Sequence, residues 1–343
     1  HKNVFSLVLS TAAVLMIVFA SAKTQSMDAA QITNLGVAMA EAVNKFYPPA
    51  ILFTNALLHN DWAGFVIFAA VSLLLGIAFI TIVSHYYKRL NTAVFSHYAK
   101  KEYKMGTLKS SSPFMALYKK ELRRLSSCTI YALNSCIGIV LLFVVALGAA
   151  FFMPPALRQQ IETMGIMSII QNIMPIALAI FVTMTSTTAA SLSLEGKNRW
   201  IMCSAPTQAR TVYNSKIAVN LTVILPVLYV SAIFIRIAIP CSLMQTVLLF
   251  IIPTVYAFFI SVLGIYLNIK FPKYDWTSEY YAVKGGAISV LATVGGGMAS
   301  SLTPLYLCII FPHYQMMIMF GITCLILLAT LAIYLNVCRT QLY

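Results

Sequence analysis

Acidic residues are scarce in this chain: nine Asp and Glu among 343 residues, against 23 Lys and Arg. Charged residues of both signs together make up only 9% of it. A water-exposed globular domain carries about a quarter of its residues as charges, so that class is excluded. No GxxxxGK[ST] string occurs; the nearest, Gly106-Thr107-Leu108-Lys109-Ser110, lacks the spacing and second glycine that cradle phosphates. The seven cysteines form no CxxC and no Cys/His cluster, which argues against a disulfide frame or a metal centre. His59, His85, His97 and His313 stand at span ends or in loops without ligand spacing. No paired carboxylates or nucleophile-base pattern suggests catalysis.

What the chain has in excess is apolar length. Hydrophobic residues make up 60% of it. Eight long apolar stretches, at 4–22, 62–84, 128–153, 168–190, 217–239, 243–268, 286–311 and 315–337, match the roughly 20 residues a helix needs to cross a bilayer. The expected fold is an all-α polytopic membrane protein of about eight transmembrane helices. Residues 1–22 also carry signal-peptide features, with Ala20-Ser21-Ala22 as a cleavage site, but the apolar run is long for that, so a span is expected.

Charge alternates between the connecting segments. Threading the stretches through a bilayer puts 19 of the 23 basic residues on one side, leaving Lys23, Lys45, Arg158 and Arg236 on the other. By the positive-inside rule the basic side, with both ends of this sequence, faces the cytoplasm. A net charge of +14 placed at the edges of apolar spans reads as a topology signal toward anionic lipid, with no nucleic-acid partner.

The most polar region, residues 84–127, divides the chain into 1–112 and 113–343. Ser112 and Pro113 form a helix start, an N-cap followed by proline at the first helical position. The helix that follows is amphipathic. Phe114, Leu117, Tyr118, Leu122 and Leu125 share one face, with Lys119, Lys120, Arg123 and Arg124 largely on the other, the pattern of a helix lying in the membrane interface or of a solvated extension of the next span. Before it, residues 29–53 form a long semi-apolar connection that is either a re-entrant element or a surface hairpin.

The connection SLSLEGKNRWIMCSAPTQARTVYNSK, residues 191–216, holds the strongest local signals. Gly196, between Glu195 and Lys197, permits a sharp change of direction; Trp200, beside Arg199, is an interfacial anchor. Pro206 breaks the segment, and Thr207 is placed to cap a short helix containing Arg210 and ending at Lys216. Such a helix would be a lever for a soluble partner; an ordinary polar turn is the alternative.

Inside the spans, hydroxyls cluster at Thr183, Thr185, Ser186, Thr187, Thr188 and Ser191. Thr183 and Thr187 are candidates to line a substrate path, or else helix glue. None of the nine acids falls at a span midpoint, which counts against an ion-coupled secondary transporter. Glycines 285, 286 and 295–297 give one span a small face suited to close packing.

The basic interfacial helix, the hydroxyl-ended second span, the SLEGKNRW…APTQARTVYNSK connection and four further spans resemble the permease subunits of bacterial type-2 ATP-binding cassette (ABC) exporters, in particular a group with two six-span halves fused. The likeness covers 113–343, with residues 1–112 resembling the last two spans of a first half; four preceding spans are implied, in keeping with a start at His1. One departure is the very short connection near Phe311 to Tyr314. The resemblance implies a multi-pass protein of the cell membrane that moves a substrate outward and is not itself an enzyme. A separate ATPase would hold ATP and Mg, docking on Glu195, Gly196, Lys197, Arg199, Trp200, Pro206, Arg210 and Lys216. A secondary transporter and a membrane-embedded scaffold or transferase are the alternatives.

Overall fold

The computed structural model describes residues 51–53, 62–96, 111–152, 163, 167–284 and 287–341. The expected first span at 4–22 and most of the 29–53 connection lie outside them. The described residues are helical throughout their regular structure, and seven helical segments among them are long and apolar enough to cross a membrane. The protein is an all-α polytopic membrane protein. Those seven coincide with the stretches expected from residue 62 onward.

The chain divides into two compact units, with one boundary between Lys109 and Ser110. Of the first, helix α1 (Trp62–Ser96) is described; it runs on well past the apolar stretch into the basic segment. The described part of the other unit begins with α2 (Pro113–Ser127). Ser112 caps it as its sequence demands, its hydroxyl accepting from the Met115 amide at 3.3 Å, with Pro113 next. Then follow α3 (Thr129–Phe152), α4 (Met167–Thr183), the one-turn α5 (Thr188–Ser191), a 3-10 turn (Ser193–Asn198), α6 (Arg199–Ser204), α7 (Ala209–Ala238), α8 (Leu243–Lys270), α9 (Glu279–Val283), α10 (Ile288–Ile310) and α11 (Gln315–Arg339).

Helix α8 is the axle of this unit, with two-thirds of its most apolar stretch buried. Leu249, Ile252, Tyr256 and Ile260 on it pack with Leu142 of α3, Leu178 and Val182 of α4, Ile224 and Leu228 of α7, and Cys308 of α10. Helix α11 is the outermost, with only 11% of its apolar stretch buried. The unit's two ends are fastened differently. At the end away from most basic residues, an uncharged amide chain runs from Gln245 to Asn172 (2.7 Å), Asn172 to Gln315 (2.8 Å) and Gln315 to the Cys308 carbonyl (3.0 Å). There the 3-10 turn Pro312–Tyr314 makes the short connection expected between α10 and α11.

Candidate functional site at the basic end

Five ionised side chains from three elements meet at the other end. Lys216 of α7 is 2% exposed. Its Nζ donates to Glu121 Oε1 of α2 at 2.7 Å, to Glu195 Oε1 at 3.2 Å and to the Ser191 carbonyl at 3.1 Å. Glu195 in turn accepts from Lys120 Nζ at 2.8 Å and lies 3.2 Å from Arg124 Nη1. Burying charge is costly unless partners surround it, and here three cations enclose two carboxylates. The cluster pins α2 and the turn after α5 to the start of α7.

The turn owes its shape to Gly196, whose φ of +51° is the left-handed conformation that L side chains resist. The Trp276 ring lies against it, so a Cβ there would meet Cζ2 at 2.9 Å. Trp276 donates its indole N–H to the Ser193 carbonyl at 2.8 Å, clamping the turn. The expected change of direction is therefore present, but the expected lever is not. Thr207 caps nothing: α7 starts at Ala209 after Gln208 and runs unbroken to Ala238, so Arg210 and Lys216 belong to the spanning helix itself. Backbone hydrogen bonding simply continues through the polar first turns.

The proposed docking residues divide accordingly. Glu195, Gly196 and Lys216 are interior and shape the turn; Lys197, Trp200, Pro206 and Arg210 are exposed, Trp200 at 67%. Arg199 lies over the Tyr274 ring at 4.8 Å. The interfacial helix also departs from a two-faced pattern. Lys119 and Arg123 are exposed and unengaged by the cluster, whereas Lys120, also exposed, and half-buried Arg124 reach Glu195, because a buried carboxylate draws them. Phe114 remains partly exposed, Leu117 packs beside Met202 and Tyr213, and the Tyr118 hydroxyl donates to Thr222 Oγ1 at 3.0 Å. Helix α2 is thus fastened along α7.

Just inside this end the chain of α4 unwinds over residues 184–187 before α5. Thr183 and Thr187 accordingly do not share a helix face, since the helical spacing that would align them is interrupted. Neither lines an open path. Thr183 is fully buried against Ser301 Oγ (3.4 Å) and the Ile180 carbonyl, and Thr187 gives both its amide and its hydroxyl to Asn220 Oδ1, at 2.8 and 3.0 Å. The Tyr131 hydroxyl donates to the Thr187 carbonyl at 2.8 Å. Asn268 Oδ1 accepts from the Leu192 and Ser193 amides, and its Nδ2 donates to the Ala189 carbonyl. Non-helical backbone at membrane depth is tolerated where protein satisfies it in this way.

Glycines let the surrounding spans close on the break. A Cβ at Gly264 would collide with the Thr188 and Ser186 hydroxyls, one at Gly138 with Phe181 and Met184, and one at Gly297 with Ile260 and Thr183. The small face expected on α10 is used at Gly297, whereas Gly295 has nothing within 4 Å. The broken spans of carriers surround a cavity; this one is filled, and its hydroxyls bond to protein.

Reading the sequence misses Glu121, Asn220 and Asn268. The signal that finds the two amides is their isolation inside otherwise apolar runs, where a polar side chain needs a partner. Glu121 is hidden among four basic neighbours. Scans of family models, curated proteins and solved structures find no match to this chain.

Proposed function

We propose that the chain is the membrane-spanning subunit of an ABC exporter, driven by a separate ATPase that docks on the exposed surface of Lys197, Trp200, Pro206 and Arg210. The observation that carries this reading is the buried ion cluster. It makes α2, the Gly196 turn and the first turns of α7 one rigid body, so a push on the exposed surface reaches the spans on either side of the turn together. An isolated surface turn would yield locally. The basic residues around it support, by the positive-inside rule, a cytoplasmic position for this end, where ATP is.

The test is affinity purification of the full chain from its native membranes, with identification of co-purifying proteins, followed by ATP hydrolysis of the complex in proteoliposomes. An ABC ATPase is expected in stoichiometric amount. Trp200→Ala should weaken its binding about thirtyfold or more, the usual cost of an aromatic anchor at an interface centre. Failure to recover any ATPase overturns the class. Recovery with full coupling in that variant, but loss on substituting residues 270–284, moves the docking surface to that segment.

A further inference from the structure

An open groove of about 400 Å³ lies between α7, α8, α11 and Phe114 of α2. Its floor and walls are apolar: Ile217, Leu221, Phe258, Val262, Leu331 and Phe114. Its polar groups lie at one end, apart from Thr330, whose hydroxyl donates to the Ile326 carbonyl of its own helix at 2.7 Å. At that end Tyr334 donates to Asn214 Oδ1 at 3.1 Å, and one helical turn before Asn214 on α7, on the same face, stands exposed Arg210. Arg210 stands just outside the lining, near enough to Tyr334 to act on it electrostatically, so that from Arg210 through Asn214 to Leu221 the surface passes from cationic to hydrogen-bonding to apolar. Asn214 and Leu221 are about 10 Å apart along the helix. The helix that contributes Phe114 also carries exposed Lys119 and Arg123.

That polarity gradient runs along the spanning helices, as the gradient of a phospholipid does from headgroup to acyl chain. We propose that the groove holds one anionic phospholipid of the leaflet at the basic end, its acyl chain against Leu221, Phe258 and Leu331, its headgroup phosphate toward Arg210. A peptide segment would need backbone partners along the groove, and the walls below Asn214 offer side-chain carbon and a single hydroxyl, Thr330, that already donates to its own helix. The lipid would act as a wedge keeping α11 and α2 in register with α7.

The experiment uses the purified full chain in detergent, mixed with equal amounts of phosphatidylglycerol and phosphatidylcholine, with retained lipid read by native mass spectrometry. Phosphatidylglycerol should be retained roughly fivefold over phosphatidylcholine, the preference one surface cation confers. Arg210→Glu should abolish the preference. Ala218→Trp, or Leu331→Trp at a half-exposed position that tolerates bulk, should lower retention of both lipids by filling the groove. A millimolar excess of inorganic phosphate should not displace the lipid, since the acyl chain supplies most of the contact. Equal retention of the two lipids by the parent, an unchanged preference in Arg210→Glu, or unchanged retention in both tryptophan variants overturns the proposal. So does a dimer that the tryptophan variants dissociate, which would make a second copy the occupant.

Discussion

Replacing Lys216 by Met tests whether the ion cluster is structural, because the side chain keeps most of its length and loses its charge and its donors. In the parent, one ammonium, buried to 1% side-chain exposure, serves Glu121, Glu195 and the Ser191 carbonyl. Glu195 keeps Lys120 and Arg124 in the variant. Glu121 does not fare so well: its next cation, Arg124 Nη1, is 3.9 Å away. Breaking a buried pair from one side costs about 3–5 kcal/mol, a factor of roughly 100 to 4,000 in the folding equilibrium. Lys120→Met is the internal comparison, since its side chain is 41% exposed and solvent-screened, so its loss should cost about 0–1 kcal/mol. Adding Glu121→Gln to Lys216→Met removes the stranded charge and should recover most of the deficit. The assay is SDS titration of the purified full chain in mixed micelles, followed by tryptophan fluorescence; Trp276 reports from beside Gly196. A Lys216→Met variant within about 1 kcal/mol of the parent, or no less stable than Lys120→Met, would refute the argument.

Gly264→Ala should destabilise the protein by about 1–3 kcal/mol through overpacking against Thr188, Ser186 and the Ala189 backbone, while Gly295→Ala should be neutral or slightly stabilising; the same titration separates them. Burial first, then the hydrogen bond to Glu279 Oε2 at 2.8 Å, push the Cys128 thiol up to about 11. A raised value means less thiolate at neutral pH, so maleimide labelling of a Cys128-only variant at pH 7.5 should run at least tenfold slower than that of free cysteine, and equal rates would contradict the burial. Cysteines placed at Ser111 and Gln208, both in the basic segments, should be labelled from the same side of intact cells, the inside. Labelling of either by an impermeant reagent from outside would overturn the charge-based topology.

The spans from residue 62 onward were legible because each is an unbroken apolar run, and a hydrocarbon slab tests little besides length and hydropathy. The Ser112-Pro113 start and the turn at Gly196 were legible because caps and left-handed glycines are local. The ion cluster was not, since Glu121 and Lys216 lie 95 positions apart and Lys120 and Glu195 lie 75 apart. Nothing local marks Lys120 as engaged by the cluster and Lys119 as clear of it; a carboxylate from another element decides it. The break at residues 184–187 was hidden for a related reason. Thr and Ser continue a span as readily as they interrupt one, and the choice rests on Asn220, Asn268 and three glycines in other helices.

That break has a consequence for biosynthesis. Helix α4 has only 17 residues, about 25 Å of rise, so it needs the unwound segment to finish its crossing of a core about 30 Å thick. The backbone of that segment and of the turns after it is satisfied in part by Tyr131, already made, and in part by side chains not yet made, two of them amides: Asn220, 33 residues beyond Thr187, and Asn268, 76 residues beyond Leu192. At roughly 5–20 residues per second, the last of these emerges about 4–15 s after the groups it bonds. Until then the nascent span holds amides and carbonyls that lipid cannot satisfy. The ribosome's pace between α4 and α8 therefore sets how long this helix must wait at the edge of the insertion machinery, and the order of spans along the chain fixes when it can leave.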